Sequence, residues 1–284
     1  MTDPQLRGLP RAVPPPPPPP GAALRRPVEV VGGVTSGMVE SAGRGARFVA
    51  EVIRSTREVA TWGPHATTQA RVLGVDSIPI GIFIAIFTGI VIALLASYSF
   101  TGAVPLYFVG TLLEKTVTME LAPVLTGLAL AGRVGANIAA EIGTMRVTEQ
   151  VDALETLAYD KYAYLVVPRV LAGIVMFPIV VGLAMIAGIA SGWGASVVLL
   201  GISSAEFVKG MRLFFETFDV AYGLVKASSF GAAVTLIGCA AGMGTMGGAQ
   251  GVGRAATRAV VLSAVSILVL DAFWAIVWLL GRAR

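Results

Sequence analysis

The stretch SIPIGIFIAIFTGIVIALLASYSFTGAVPLYFVGTLL, residues 77–113, contains no Asp, Glu, Lys or Arg, and its reading decides the fold. A helix rises about 1.5 Å per residue, so about 20 apolar residues cross a hydrocarbon core of about 30 Å. The stretch is too long for one such helix. Gly102 and Pro105 interrupt it, which places a span at about Ile78 to Ala96 and a short re-entrant or surface helix from Pro105 to Lys115. Two further charge-free runs, Val170 to Ala205 and Ala227 to Gly253, each hold a span. Two more are broken by one charge apiece: Leu121 to about Ala140 contains Arg133, and Ala259 to Leu280 contains Asp271. The expected fold is an all-α integral membrane protein with five transmembrane helices.

Composition agrees. Of 284 residues, 55% are hydrophobic and only 13% charged, too few charges for an ordinary soluble, nucleic-acid-binding or disordered chain. The formal charge of +4 arises before Asp76, where nine Arg face five acids, which reads as a membrane-surface segment. One cysteine, Cys239, excludes a disulfide framework or a thiolate metal cluster within the chain, and one histidine, His65, excludes multi-histidine metal sites.

Pro14 to Pro20 is an unbroken proline run, so residues 1–27 read as an extended tail. Residues 28–76 read as an interfacial segment and 77–284 as the five-span domain. From Pro27 to about Trp62 the pattern is helical. Val49, Val52, Ile53 and Val59 lie near one face, and Arg47, Glu51, Arg54 and Glu58 follow on the other. A soluble helix packed on a partner has the same periodicity, but the direct lead into a charge-free stretch favours an amphipathic helix lying on the membrane. Seven Arg between Arg25 and Arg71 put the N-terminus in the cytoplasm, and five spans then put the C-terminus outside. The loop between spans two and three, about Glu141 to Arg169, is cytoplasmic in that arrangement.

No G-x-x-x-x-G-K-[ST] phosphate loop occurs, so ATP-driven work requires hydrolysis by another subunit. Gly242, Gly244 and Gly247 fit G-x-G-x-x-G, but no strand precedes them; close helix packing through Gly238/Gly242 and Gly244/Gly248 is the better reading. No catalytic constellation is recognisable, and the chain reads as a non-enzyme. In the loop after span two, Thr148 can cap a short helix. Its acidic side is Glu149, Asp152 and Glu155, with Val151, Leu154 and Leu157 offset from it. Such a helix has one face for a partner; a solvated loop helix is the alternative. Arg133 and Asp271 within spans, with Glu120 and Lys226 near span ends, form a candidate intramembrane charge network, because isolated charges there are costly unless paired or hydrated.

Four blocks carry a resemblance: ELAPVLTGLALAGRVGA from Glu120, AEIGTMRVTEQVDALE from Ala140, VPR at Val167 to Arg169, and GVGRAATRAVV from Gly251. In this order they resemble the MlaE/YrbE permease family, over roughly Arg44 to Leu280. The chain departs from the family pattern at Met119, where a basic residue is common. The resemblance implies the membrane subunit of an ABC-type transporter moving phospholipid between inner and outer membranes of a bacterium. It implies an inner-membrane location, an N-terminal interfacial helix and five spans. Its partners would be an ATPase that binds the ATP and Mg, an MCE-domain lipid-binding protein, and a second permease copy, identical or paralogous; this chain would hold no cofactor or metal. The ATPase is then expected on the coupling helix at Glu149, Asp152, Leu154, Glu155 and Leu157. Lipid is expected against Ile92, Leu95, Tyr98, Phe100 and Leu106, whose apolar walls suit acyl chains and whose tyrosine hydroxyl suits a headgroup zone. Two other readings stand beside this one, an ion-coupled secondary transporter using Arg133 and Asp271, and a non-transporting anchor of a complex.

Overall fold

A computed structural model of the protein describes Glu40, residues 43–100 and residues 104–282. The proline run and Gly102 lie outside the described residues. The chain divides into two compact units, 1–47 and 48–284. In the first, Glu40 and residues 43–47 are helical, and Arg44 pairs with Glu40 at 2.6 Å, one turn away. In the second, the described residues form helices and turns, with no strand among them.

The second unit opens on a helical segment, α1 (48–55), and the chain turns at 56–58 before α2 (Val59–Leu73). The single helix expected up to Trp62 is therefore two. The Trp62 indole donates to the Thr56 carbonyl at 2.9 Å across that turn. The apolar residues of α1 divide: Val52 is buried and Phe48 meets Tyr162 edge-on, whereas Val49 and Ile53 stay exposed.

Among the described residues, five helices are long and apolar enough to cross a membrane: Val59–Ser99, Phe108–Val147, Tyr162–Val198, Thr217–Met243 and Gly248–Trp278. The chain is a multi-pass membrane protein. The first of these joins α2 through a tight turn to α3 (Ile78–Ser99), and the second is α4. A short helix α5 (Gln150–Thr156) leads to α6, the third, and α7 (Ser204–Leu213) leads to α8, the fourth. The last helix, α9, runs Gly248–Arg282.

The helix expected at Pro105 to Lys115 is not a separate element. Helix starts at Phe108 and continues unbroken through Lys115 to Val147. The helix runs on through both charges: Lys115 pairs with Asp219 of α8, and one oxygen of the buried Glu114 carboxylate accepts from the Thr118 hydroxyl at 3.3 Å. The charge-free run from Ala227 to Gly253 holds a span, as expected, but that helix ends at Met243, before the run does. Gly244 caps α8, and Gly247 and Gly248 take φ of 86° and 65°, a left-handed turn that side chains with a Cβ rarely adopt. Gly244 and Gly248 therefore do not pair on one helix. Gly238 and Gly242 do pack closely: a Cβ at either would lie 3.1 Å from a carbonyl oxygen of α4.

Lipid tails are as apolar as leucine, so close backbone packing, rather than exclusion of water, joins such helices. The buried face of α3 is Gly81, Ala85, Gly89, Ala93 and Ala96, small residues about one turn apart. It lies on the Gly188 and Gly192 face of α6, and Ser191 ties the pair by donating to the Ile86 carbonyl at 2.9 Å. Helix α8 sits centrally, touching α6 at Gly231 and α4 at Gly223 and Gly238. Phe177, Phe230, Leu130, Ile138, Val234 and Ile267 fill the space between them. At one end of the bundle Arg169 of α6 pairs with Glu141 of α4 at 2.8 Å, and Gly143 meets Thr245. The expected loop from Glu141 to Arg169 is thus mostly helix. At the other end Gly210 of α7 meets the Tyr107 carbonyl.

Candidate functional site

Pro123 has no N–H, so the carbonyl of Met119 four residues earlier receives no helical hydrogen bond from it. The backbone widens there into one π turn, Val117–Leu121, which projects Met119 and Glu120 toward α8. Lys226 of α8, fully buried, fills the place. Its ammonium donates to the Met119 carbonyl at 3.3 Å and to the Glu120 carboxylate at 2.6 Å, and it pairs with Asp271 of α9. The ammonium thus donates two hydrogen bonds to α4 and forms an ion pair with α9. The Tyr222 ring lies one turn away, 5.7 Å from the ammonium. The Trp274 indole donates to the Ser229 hydroxyl at 2.9 Å, and that hydroxyl donates to the Lys226 carbonyl at 2.6 Å. Two carboxylates share one lysine. Glu120 keeps 47% of its side chain exposed against 18% for Asp271, so Glu120 is the member that meets the surroundings.

Arg133 stands apart from this group. It sits on a second π turn, Ala131–Gly135, and donates to the Ser77 hydroxyl at the junction of α2 and α3. Beside it is a small cavity of about 180 Å³ lined by Val72, Leu73, Val134 and Asn137. Of the four charges in the expected network, the structure brings together Glu120, Lys226 and Asp271.

A second buried pair escaped the sequence reading. Asp219 is fully buried, pairs with Lys115, and accepts from the Glu216 amide at 3.3 Å, closing a capping box at the start of α8. Asp219 and Lys226 are seven residues apart, two turns on one face of α8, opposite Lys115 and Glu120 on α4. That spacing was the available signal, but it acquires meaning only once α4 is known to lie alongside. Asp219→Ala removes the cap acceptor, and a loss of about 1 to 2 kcal/mol is expected; thermal unfolding of the purified variant in detergent measures it.

At the opposite end of the bundle, α5 differs from expectation at its start. Thr148 does not cap it; the Thr148 hydroxyl donates back to the Thr144 carbonyl at 2.9 Å, because Thr148 closes the last turn of α4. Glu149 occupies the cap position with φ of 61°, and Ala158 beyond the helix has φ of 60°. Two left-handed residues without glycine's freedom bracket the element, strain that surrounding contacts must hold. Those contacts are Arg146 to Asp152, Lys161 to Glu155, and Ser55 of α1 to Asp160. Val151 is buried and Leu154 packs on the core, whereas Leu157 remains 68% exposed. Among the five expected docking residues, Glu149, Asp152, Glu155 and Leu157 face outward and Leu154 largely inward.

The expected lipid wall divides as well. Leu95, Tyr98 and Leu106 are exposed, whereas Ile92 and Phe100 pack partly against the core. The outward face of α3 continues through Phe83, Phe87 and Val91, opposite the small-residue face that meets α6.

A family model described as Permease MlaE matches residues 66–277. A probable ABC transporter permease protein of Rickettsia bellii is 39% identical over 239 residues, covering 84% of this chain and 92% of its own. One from Synechocystis is 42% identical over 205 residues, 72% of this chain and 78% of its own. The Arabidopsis thaliana chloroplastic protein trigalactosyldiacylglycerol 1 is 37% identical over 163 residues, 57% of this chain and 47% of its own.

Proposed function

The chain belongs to the MlaE permease family of ABC transporters, and from that premise we propose that it moves phospholipid between the inner and outer membranes of a bacterium. The observation that carries the lipid reading is the apolar face of α3, with Phe83, Phe87, Val91 and Leu95 exposed below Tyr98 among the described residues and backed by a seam of small residues. The name of the Arabidopsis relative, which is that of a glycolipid, supports the same class of cargo. In this proposal the α3 faces of two copies, identical or paralogous, enclose the lipid, and an MCE-domain protein passes it on. The permease sits in the inner membrane with its N-terminus in the cytoplasm. Segment 28–76 lies along the cytoplasmic surface and 77–284 forms the span domain.

The experiment is a photo-crosslinker at Tyr98 in membranes, with a second at Ile186, an exposed residue of α6, as a lipid-facing control. Capture of lipid at Tyr98 that Leu95→Trp abolishes supports the cavity. Capture of protein alone, while Ile186 labels lipid, overturns it.

Energy comes from an ATPase subunit, which binds the ATP and Mg, docked on the outward face of α5. Leu157 is the exposed apolar anchor and Leu154 is not, so the two substitutions separate docking from folding. Leu157→Asp is expected to lower ATPase co-purification about tenfold or more without changing yield, as loss of an interface anchor does. Leu154→Asp should lower the yield itself. Pull-down quantified against total permease in the membrane decides; unchanged co-purification for Leu157→Asp would remove α5 from the interface.

A further inference from the structure

The block GVGRAATRAVV has no part in the preceding proposal, yet it forms a distinct feature where α8 turns into α9, at the same end of the bundle as α5. Arg254 and Arg258 are one turn apart on α9 and both are exposed. Like charges at this spacing repel, and no carboxylate among the described residues pairs with either. Two grooves flank the pair. One, of about 560 Å³, lies toward α8 and is walled by Ile237, Ala240, Ala241 and Met246. The other, of about 650 Å³, lies on the far side with Gln250, Thr257 and Val261. Both arginines and Leu262 border both grooves. Leu262 continues the arginine stripe by another turn, and beyond it Val265, Leu268 and Val269 are exposed along the span.

Cationic groups at the end of a span, hydrogen-bonding groups beside them and an uncovered apolar strip running inward match the order of parts in a lipid: phosphate, glycerol region, acyl chain. Guanidinium groups bind phosphate oxygens in a planar, two-point fashion that ammonium groups do not reproduce. Basic clefts between spanning helices attract anionic headgroups in just this setting. We infer that Arg254 and Arg258 form a binding site for the phosphate of an anionic bilayer lipid, whose acyl chain lies along Val261, Leu262 and Val265 of α9. The site is separate from the Lys226 network and requires only that the chain span a bilayer, so it stands or falls independently of phospholipid transport.

The test uses the full chain in phosphatidylcholine nanodiscs containing phosphatidylglycerol, released into the gas phase and read by native mass spectrometry. The intact protein should retain phosphatidylglycerol over phosphatidylcholine. Arg254→Gln with Arg258→Gln should lower that retention about tenfold, and Arg254→Lys with Arg258→Lys should restore only part of it. Arg212→Gln, an exposed arginine on α7 at the other end, is the control and should change nothing. Equal retention of the two lipids by the intact protein, or an unaltered double Gln variant, overturns the site. Displacement of the lipid by millimolar inorganic phosphate would assign the pair to a soluble anion instead. Loss of self-association or of ATPase binding with lipid retention intact would assign it to a protein partner.

Discussion

Lys226→Met is expected to lower stability by about 3 to 5 kcal/mol, the cost of leaving buried charge without its counterion. The lysine is fully buried and holds Glu120 and Asp271 at once, so its loss exposes two carboxylates to each other across α4 and α9. The Met119 carbonyl, deprived of a helical donor by Pro123, loses its partner in the same step. Asp271→Ala should cost less, because Glu120 still neutralises the ammonium. Combining Lys226→Met with Asp271→Ala should recover part of the loss, giving a coupling of about 0.5 to 3 kcal/mol in a double-mutant cycle. Thermal unfolding in detergent measures all three variants. Strict additivity would mean that the pair contributes no specific interaction.

Gly89→Ala should be among the most damaging methyl additions at the described glycines. A Cβ there would lie 2.0 Å from the Gly188 carbonyl oxygen, and that backbone cannot move without separating α3 from α6 along the whole seam. Added bulk in a packed core typically costs about 1 to 3 kcal/mol, and a backbone clash places this substitution at the upper end. Gly194→Ala on α6 makes the same chemical change with nothing within 4 Å. It should be neutral or stabilising by up to about 1 kcal/mol, because alanine favours helix over glycine. Folded yield by size-exclusion chromatography distinguishes them. Equal behaviour of the two variants would show that α3 and α6 do not pack as closely as described.

What the sequence by itself determined was the number of membrane crossings and the class of fold. Hydrocarbon accepts only backbone whose hydrogen bonds are internally satisfied, so uninterrupted apolar length translates directly into helices. The same one-dimensional logic missed where helices begin and end. The charges at Glu114 and Lys115 looked like the end of an element, but Asp219 pairs with Lys115, Thr118 donates to one Glu114 oxygen, and α4 runs on. The uncharged stretch through Gly244 to Gly248 looked continuous, but two left-handed glycines turn it. Charge content marks the membrane only while each charge is considered alone; a partner on another helix cancels the signal.

The candidate sites divide in the same way. That Glu120, Lys226 and Asp271 are costly in a span followed from their chemistry, as did the need for partners. Which charge met which was decided by three helices coming together, and it sent Arg133 to Ser77 instead. The acidic face of α5 was legible from spacing, whereas the inward turn of Leu154 and the outward turn of Leu157 were not. Helical periodicity fixes which residues share a face. Only the neighbour packed against that face, here the core beneath Val151, decides whether it is hidden or offered to a partner.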